Sequence, residues 1–165
     1  MSTLTQQLDE FLAGWRQRVP PERQAAMERH IAHLAETGFG RQAAQVGDQA
    51  PDIVLPDANG KPIHIATMEK NALTFPVLSD VGQRVGKAFG LVYAFTEELR
   101  TVYDGFKLDI PGKNGSPDDW ALPLSATYVI GPDGRILFAD TSVDYRRRTD
   151  PLDVLQVLEH RLAAE

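Results

Sequence analysis

The apolar positions of this chain follow two rhythms, and the change from one to the other divides it. Leu4, Leu8, Phe11, Leu12, Trp15 and Val19 recur at spacings of three and four, which lines one face of an amphipathic helix that Pro20 and Pro21 end. Pro21 suits the first turn of a second helix, where its missing N–H would be unbonded in any case. Met27, Ile31 and Leu34 form the apolar side of that helix, and Gly38 stops it. From Val46-Gly47-Asp48 onward the apolar runs are short and extended. Residues 1–45 are therefore predicted to be a helical N-terminal arm, and residues 46–165 a separate domain.

Within that domain, Ile53-Val54-Leu55 and Ile63-His64-Ile65 flank Asn59-Gly60 and predict a β-hairpin. Residues 69–74 read as the end of a helix, and Phe75-Pro76-Val77-Leu78 as a brief strand. Asp80, with Gln83 three residues later, predicts a capping box for a helix carrying Val81, Val85, Ala88 and Phe89 on one face, up to Gly90. Thr96 predicts the cap of another helix bearing Leu99, Val102, Tyr103 and Phe106, followed by a long Gly-, Pro- and Asp-rich loop over 105–119. Ala126 to Ile130 is the strongest strand, and Pro132-Asp133-Gly134 turns it into 135–139 as a second hairpin. Asp150 and Pro151 open a last helix, with Leu152, Leu155, Leu158 and Leu162 as its expected core-facing stripe. Strands mixed with helices predict an α/β fold with helices on the faces of a sheet. Only 126–130 has the β-branched and aromatic content for the centre of that sheet, so its other central elements are missing from the pattern.

Composition narrows the function classes. Hydrophobic residues are 42% and charged residues 24% of the 165, a balance that folds rather than stays disordered. A net charge of -6 argues against a binder of nucleic-acid backbones, which needs clustered Lys and Arg. The one basic run, Arg146-Arg147-Arg148, is read as a solvated turn. No stretch approaches the roughly 20 apolar residues of a membrane span, and no secretory leader pattern opens the chain, so no membrane partner and a cytoplasmic location are expected. There is no cysteine at all, which excludes disulfides, thiolate metal sites and cysteine nucleophiles.

That last fact collides with a resemblance. Val46-Gly47-Asp48-Gln49-Ala50-Pro51-Asp52-Ile53-Val54-Leu55-Pro56-Asp57-Ala58-Asn59-Gly60-Lys61-Pro62 strongly resembles the opening of redoxin domains of the alkyl hydroperoxide reductase and thiol-specific antioxidant family, peroxiredoxin-like proteins on the thioredoxin-like fold. The stretches 69–80, 88–91 and 122–145 resemble the second half of the same bacterial subfamily, and the helical arm resembles its extension. At Ile65-Ala66-Thr67-Met68-Glu69 the two halves meet directly, and the domain is interrupted near 66–69. The family's apolar strand, its cysteine loop, the helix that loop caps, and a further strand and helix are absent there.

The resemblance implies a thiol-dependent peroxidase, an antioxidant oxidoreductase needing no cofactor, whose partners would be a hydroperoxide and a thiol reductant. Such chemistry needs a low-pKa thiolate that becomes a sulfenic acid. Without one the chain has no catalytic residue for that route, and the alternative is a non-catalytic thioredoxin-like module for binding or self-association. Unpaired strand edges would then make it a homo-oligomer. By resemblance, Trp120, Ser125 and Thr127 would line the substrate pocket, although Trp120, just before Ala121-Leu122-Pro123, reads better as a partly buried aromatic that anchors the long loop. Ser125 stands where the subfamily has proline, so a trans peptide is expected there, since a cis bond without proline costs about 2.5–4 kcal/mol.

Other chemistry is poorly supported by spacing. His30, His33 and Glu36 share a helix but read as solvent-facing, and no metal is assigned to them. Ser125, His64 and Asp140 lack the Gly-x-Ser-x-Gly elbow of a hydrolase. Asp144-Tyr145-Arg146 reads as a structural tie from the sheet edge to the last helix.

Overall fold

The computed structural model of the chain describes residues 3–53, 78, 80–115 and 119–162. The expected hairpin around 53–65, the helix end at 69–74, the strand at 75–78, the junction at 65–69 and His64 lie outside the described residues, apart from Ile53 and Leu78 at their margins.

Helix α1 spans Leu4–Arg18 and α2 spans Pro21–Glu36, as the two stripes and the proline pair predict. Thr3 caps α1 through a reciprocal capping box with Gln6, which satisfies two otherwise unbonded backbone donors. No residue of α1 is fully buried, and Phe11 is 67% exposed. Helix α2 is different, because it buries Ala26, Met27, His30 and Leu34.

The next helix, α3, is only Arg84–Ala88. Asp80 does hold its start, its carboxylate accepting from the Val85 and Gly86 N–H groups at 3.1 and 2.8 Å. Gln83 does not complete a capping box. It adopts a left-handed conformation (φ 57°), and its side chain donates instead to the Ala121 carbonyl at 2.9 Å. Strand β1, Val92–Ala94, follows, then α4, Glu97–Gly105, capped by Thr96 as expected. The 105–119 segment contains a short helix α5, Ile110–Asn114, held by the Asp109 carboxylate. Strand β2, Ala121–Pro123, pairs antiparallel with β1.

Strands β3, Ser125–Ile130, and β4, Ile136–Ser142, form the second hairpin. Their register places Ser125 opposite Ser142, Thr127 opposite Asp140 and Tyr128 opposite Ala139, with an irregularity between Val129 and Ile130. Residues 47–50 run beside the start of β4, through bonds from Gly47 N–H to Ile136 O and from Ile136 N–H to Asp48 O. The last helix, α6, is Pro151–Leu162 and packs against β4. The architecture is mixed α and β, and among the described residues its strands form two two-stranded antiparallel sheets.

The core gathers where α2, β1 and α4 meet. Met27, Leu34, Phe89, Leu91, Tyr93, Phe95, Leu99 and Val102 are each under a tenth exposed, and burying each large apolar side chain contributes about 1.5–3 kcal/mol. The arm is joined to this core through main chain as well. Ala44 N–H bonds to Phe89 O at 3.0 Å, and Gly90 (φ +70°) passes so close to Gln42 that a Cβ there would sit 2.5 Å from its carbonyl oxygen. Only glycine tolerates both the angle and the approach.

The last helix departs from its expected orientation. Leu152, Leu155 and Leu158 are 64%, 51% and 37% exposed, while Val154 and Val157 are half-buried. The valine side, not the leucine stripe, is turned inward.

Candidate functional site

The three residues to which the resemblance assigns a substrate pocket occupy two different places. Trp120 enters the aromatic cluster: its carbonyl accepts from Phe95 N–H at 2.7 Å and its ring lies 6.0 Å from that of Phe95. Phe95 is in turn 4.8 Å from Tyr103 and stacks with Tyr93 at 6.0 Å. Trp120 thus serves as a wall of the core.

Ser125 and Thr127 sit on the hairpin. Successive strand residues point to opposite faces, and Ala126 and Tyr128 pack against the buried cluster, so Ser125 and Thr127 face the other side. On that side Thr127 stands across from Asp140, whose carboxylate accepts from the Thr149 hydroxyl at 2.6 Å. The structure brings Ser125, Thr127 and Asp140 to one face of the hairpin and places Trp120 apart from them. No cis peptide occurs among the described residues, so the bond entering Ser125 is trans, as expected.

His30 is a correction to the sequence reading. It is not solvent-facing but 6% exposed, with its ring 5.1 Å from Tyr93 and 6.3 Å from Phe95. Neither ring nitrogen has a hydrogen-bond partner. Burial, reinforced by the charge of His33, holds its pKa below the ordinary 6.5, which keeps the ring neutral near pH 7. His33 and Glu36 are exposed on the same helix. Among the described residues no group of three or more His, Asp or Glu side chains is placed to hold a metal.

The segment after β4 carries the strongest electrostatics. Arg146 is only 16% exposed and donates to both Asp144 oxygens, at 2.6 and 2.9 Å, and to Glu28 of α2. It is therefore not part of a solvated turn, and it ties the hairpin to α2 rather than to the last helix. The sequence signal was present in the alternation Asp144-Tyr145-Arg146, but its partner lay 118 residues away. The Arg146 hydrogen bond is the main cause that holds the Glu28 carboxyl below its ordinary range. At Asp144 burial pushes the carboxyl up, and the bonds and charge of Arg146 outweigh it to leave the group lowered. Burial, with Tyr103 close by, pushes Tyr145 up to about 12. It is a neutral phenol at pH 7, and its hydroxyl faces Met27 Sδ at 3.8 Å.

Between α1 and this segment lies a mainly apolar groove of about 220 Å³, lined by Leu8, Phe11, Trp15, Tyr145 and Arg148 among others. Arg148 there already donates to the Tyr145 carbonyl. Chemically, then, the described residues offer walls, edges and ion pairs, but no thiol nucleophile, since the sequence contains no cysteine. No helix among them is long and apolar enough to cross a membrane. Set against models of known protein families, curated proteins and solved structures, the chain matches none.

Proposed function

We propose that this chain descends from thiol-dependent peroxidases of the redoxin family on a thioredoxin-like scaffold, and that in its present form it does not reduce hydroperoxides by the thiol route. The observation that carries the reading is the complete absence of cysteine between two flanks that resemble the family. Thiol peroxidases work by thiolate attack on the peroxide oxygen, and neither serine nor methionine can be recycled in that role. The placement of Ser125 and Thr127 on one hairpin face and Trp120 in the core fits a pocket that is no longer assembled.

The test is consumption of hydrogen peroxide and an organic hydroperoxide by the purified chain with a dithiol donor. The expected rate equals the protein-free control. Steady turnover above that control, proportional to protein concentration, would overturn the reading.

A second reading, a non-catalytic module that associates with its own kind, is favoured by two specific observations. Among the described residues β4 is the one strand paired with β3, and α6 turns three leucines outward.

A further inference from the structure

We propose that α2 is an acid-released cover over the aromatic wall of the core: protonation of His30 parts the N-terminal arm from β1 while the rest of the body stays folded. The inference goes beyond the redox reading and does not depend on it.

The first argument is the setting of His30. It stands on α2 where the arm meets the body, 6% exposed, with the ring of Tyr93 in β1 at 5.1 Å and that of Phe95 at 6.3 Å. Neither ring nitrogen has a hydrogen-bond partner, which native interiors rarely tolerate. A neutral imidazole bears that loss, but an imidazolium brings two donors and a full charge that must be satisfied. The surroundings do not supply the means. On its own helix His33 opposes a second proton, in the same direction as burial. Tyr93 of β1 faces it directly, Tyr103 of α4 stands behind Phe95, and Tyr145 of the segment after β4 reaches Met27. Burial raises all three phenols, so none is an anion that could hold the proton. The carboxylates flanking α2 are engaged with arginines, Glu98 of α4 with Arg29 and Glu28 with Arg146.

The second argument is which element gives way. Water reaches the ring only when α2 and β1 part. Strand β1 is bonded along its length to β2, whereas among the described residues no main-chain bond joins α2 to the body. Helix α2 is held by side chains, chiefly Ala26, Met27 and Leu34 in the core and the two ion pairs at its rim. The Gln24 side chain donates to the Arg16 and Val19 carbonyls at 2.8 and 2.6 Å, so α1 travels with it. Beyond α2 the chain turns through Gly38 and Gly40, both at positive φ (67° and 94°), before the main-chain joint of Ala44 with Phe89. That stretch is the hinge. An element attached by side chains alone opens at lower cost than the whole molecule unfolds, and a buried histidine makes the opening answer to mild acid.

The experiment is hydrogen–deuterium exchange of the full chain at about pH 7.5 and about pH 5, corrected for the intrinsic effect of pH, on wild type, His30→Phe, His30→Leu and His33→Gln. In the wild type the central amides of α2, residues 27–34, should exchange about tenfold or more faster than the best-protected amides of the body. Acidification should lower their protection further, by up to about thirtyfold, the limit set when the open form restores the ordinary value of 6.5. Both His30 variants should remove that acid response, the leucine guarding against overfilling by phenylalanine, and His33→Gln should keep it. Equal protection of α2 and the body at both pH values would overturn the proposal, because His30 would then act on global stability alone. It would equally be overturned by an α2 indifferent to acid, or by an acid response that survives in both His30 variants.

Discussion

Where α2, β1 and α4 meet, side chains from several elements close over one another, whereas among the described residues the β3–β4 hairpin with α6 is more thinly packed. In the first, Phe95 is 5% exposed and meets His30, Tyr93, Tyr103 and Trp120. In the second, Ile136 is 1% exposed but every other residue of β3 and β4 is half-buried or exposed, and the leucines of α6 face outward. The difference teaches that the N-terminal arm is no ornament: through Met27, His30 and Leu34 it supplies one wall of the only interior the described residues share. Among the described residues, α6 contacts β4 and leaves Leu152, Leu155 and Leu158 exposed.

A paired measurement would break this comparison most directly. Phe95→Ala should lower the unfolding free energy by about 3–5 kcal/mol, as for other buried aromatics, whereas Leu155→Ala should change it by about 0.5 kcal/mol or less. Urea titration of both variants, at a protein concentration low enough for monomer, checks it; equal losses would mean that the two halves are packed alike.

The next effect concerns the tie between the halves. Arg146→Ala removes charge-assisted bonds from both Asp144 and Glu28, and should cost about 1.5–3 kcal/mol at pH 7. Because both carboxyls titrate below their ordinary values of 3.8 and 4.5, their contribution is complete above those values and fades as pH falls through the lowered ones. Wild type and variant should therefore converge in stability on acidification below about pH 4, which a series of denaturant titrations would show. A difference that stays constant down to pH 2 would count against the pairing.

The smallest expected effect is a slope. His30 binds its proton less readily folded than unfolded, so its contribution is complete above the ordinary 6.5, and stability should decline as pH falls from there toward the lowered folded value. Between pH 5 and 6.5 the lowered carboxyls of Asp144 and Glu28 remain ionised, so their pairing with Arg146 does not contribute to the slope. His30→Phe should flatten the slope of melting temperature against pH there; an unchanged slope would show that His30 does not cause it.

Much of the local structure was legible because its cause is local. The proline pair and Gly38 bounded α1 and α2, Thr96 capped α4, and Pro132-Asp133-Gly134 turned β3 into β4. What escaped was decided at long range. The leucine row of α6 reads as the buried side by hydropathy alone, yet Val154 and Val157 are the side turned inward. His30 reads as a surface residue until Tyr93 and Phe95, some sixty positions later, close over it. The pairing of β1 with β2 depends on carbonyl and amide groups rather than on side-chain pattern, and the Gln83 side chain left its helix for the Ala121 carbonyl for a similar reason. Of the pocket residues suggested by resemblance, each lies in a definite place, but their separation is a property of the fold and not of their spacing.

The crossing at Gly90 has a consequence for how this chain tolerates change. At this crossing the contact of Gln42 and Ala44 with the 89–90 segment is between peptide groups, while the Ala43 side chain between them is 3% exposed and part of the core. Tolerance is therefore low at this crossing: a single added methyl at position 90, or the loss of one amide hydrogen at 44 to an imino acid, acts like a wedge driven into a joint.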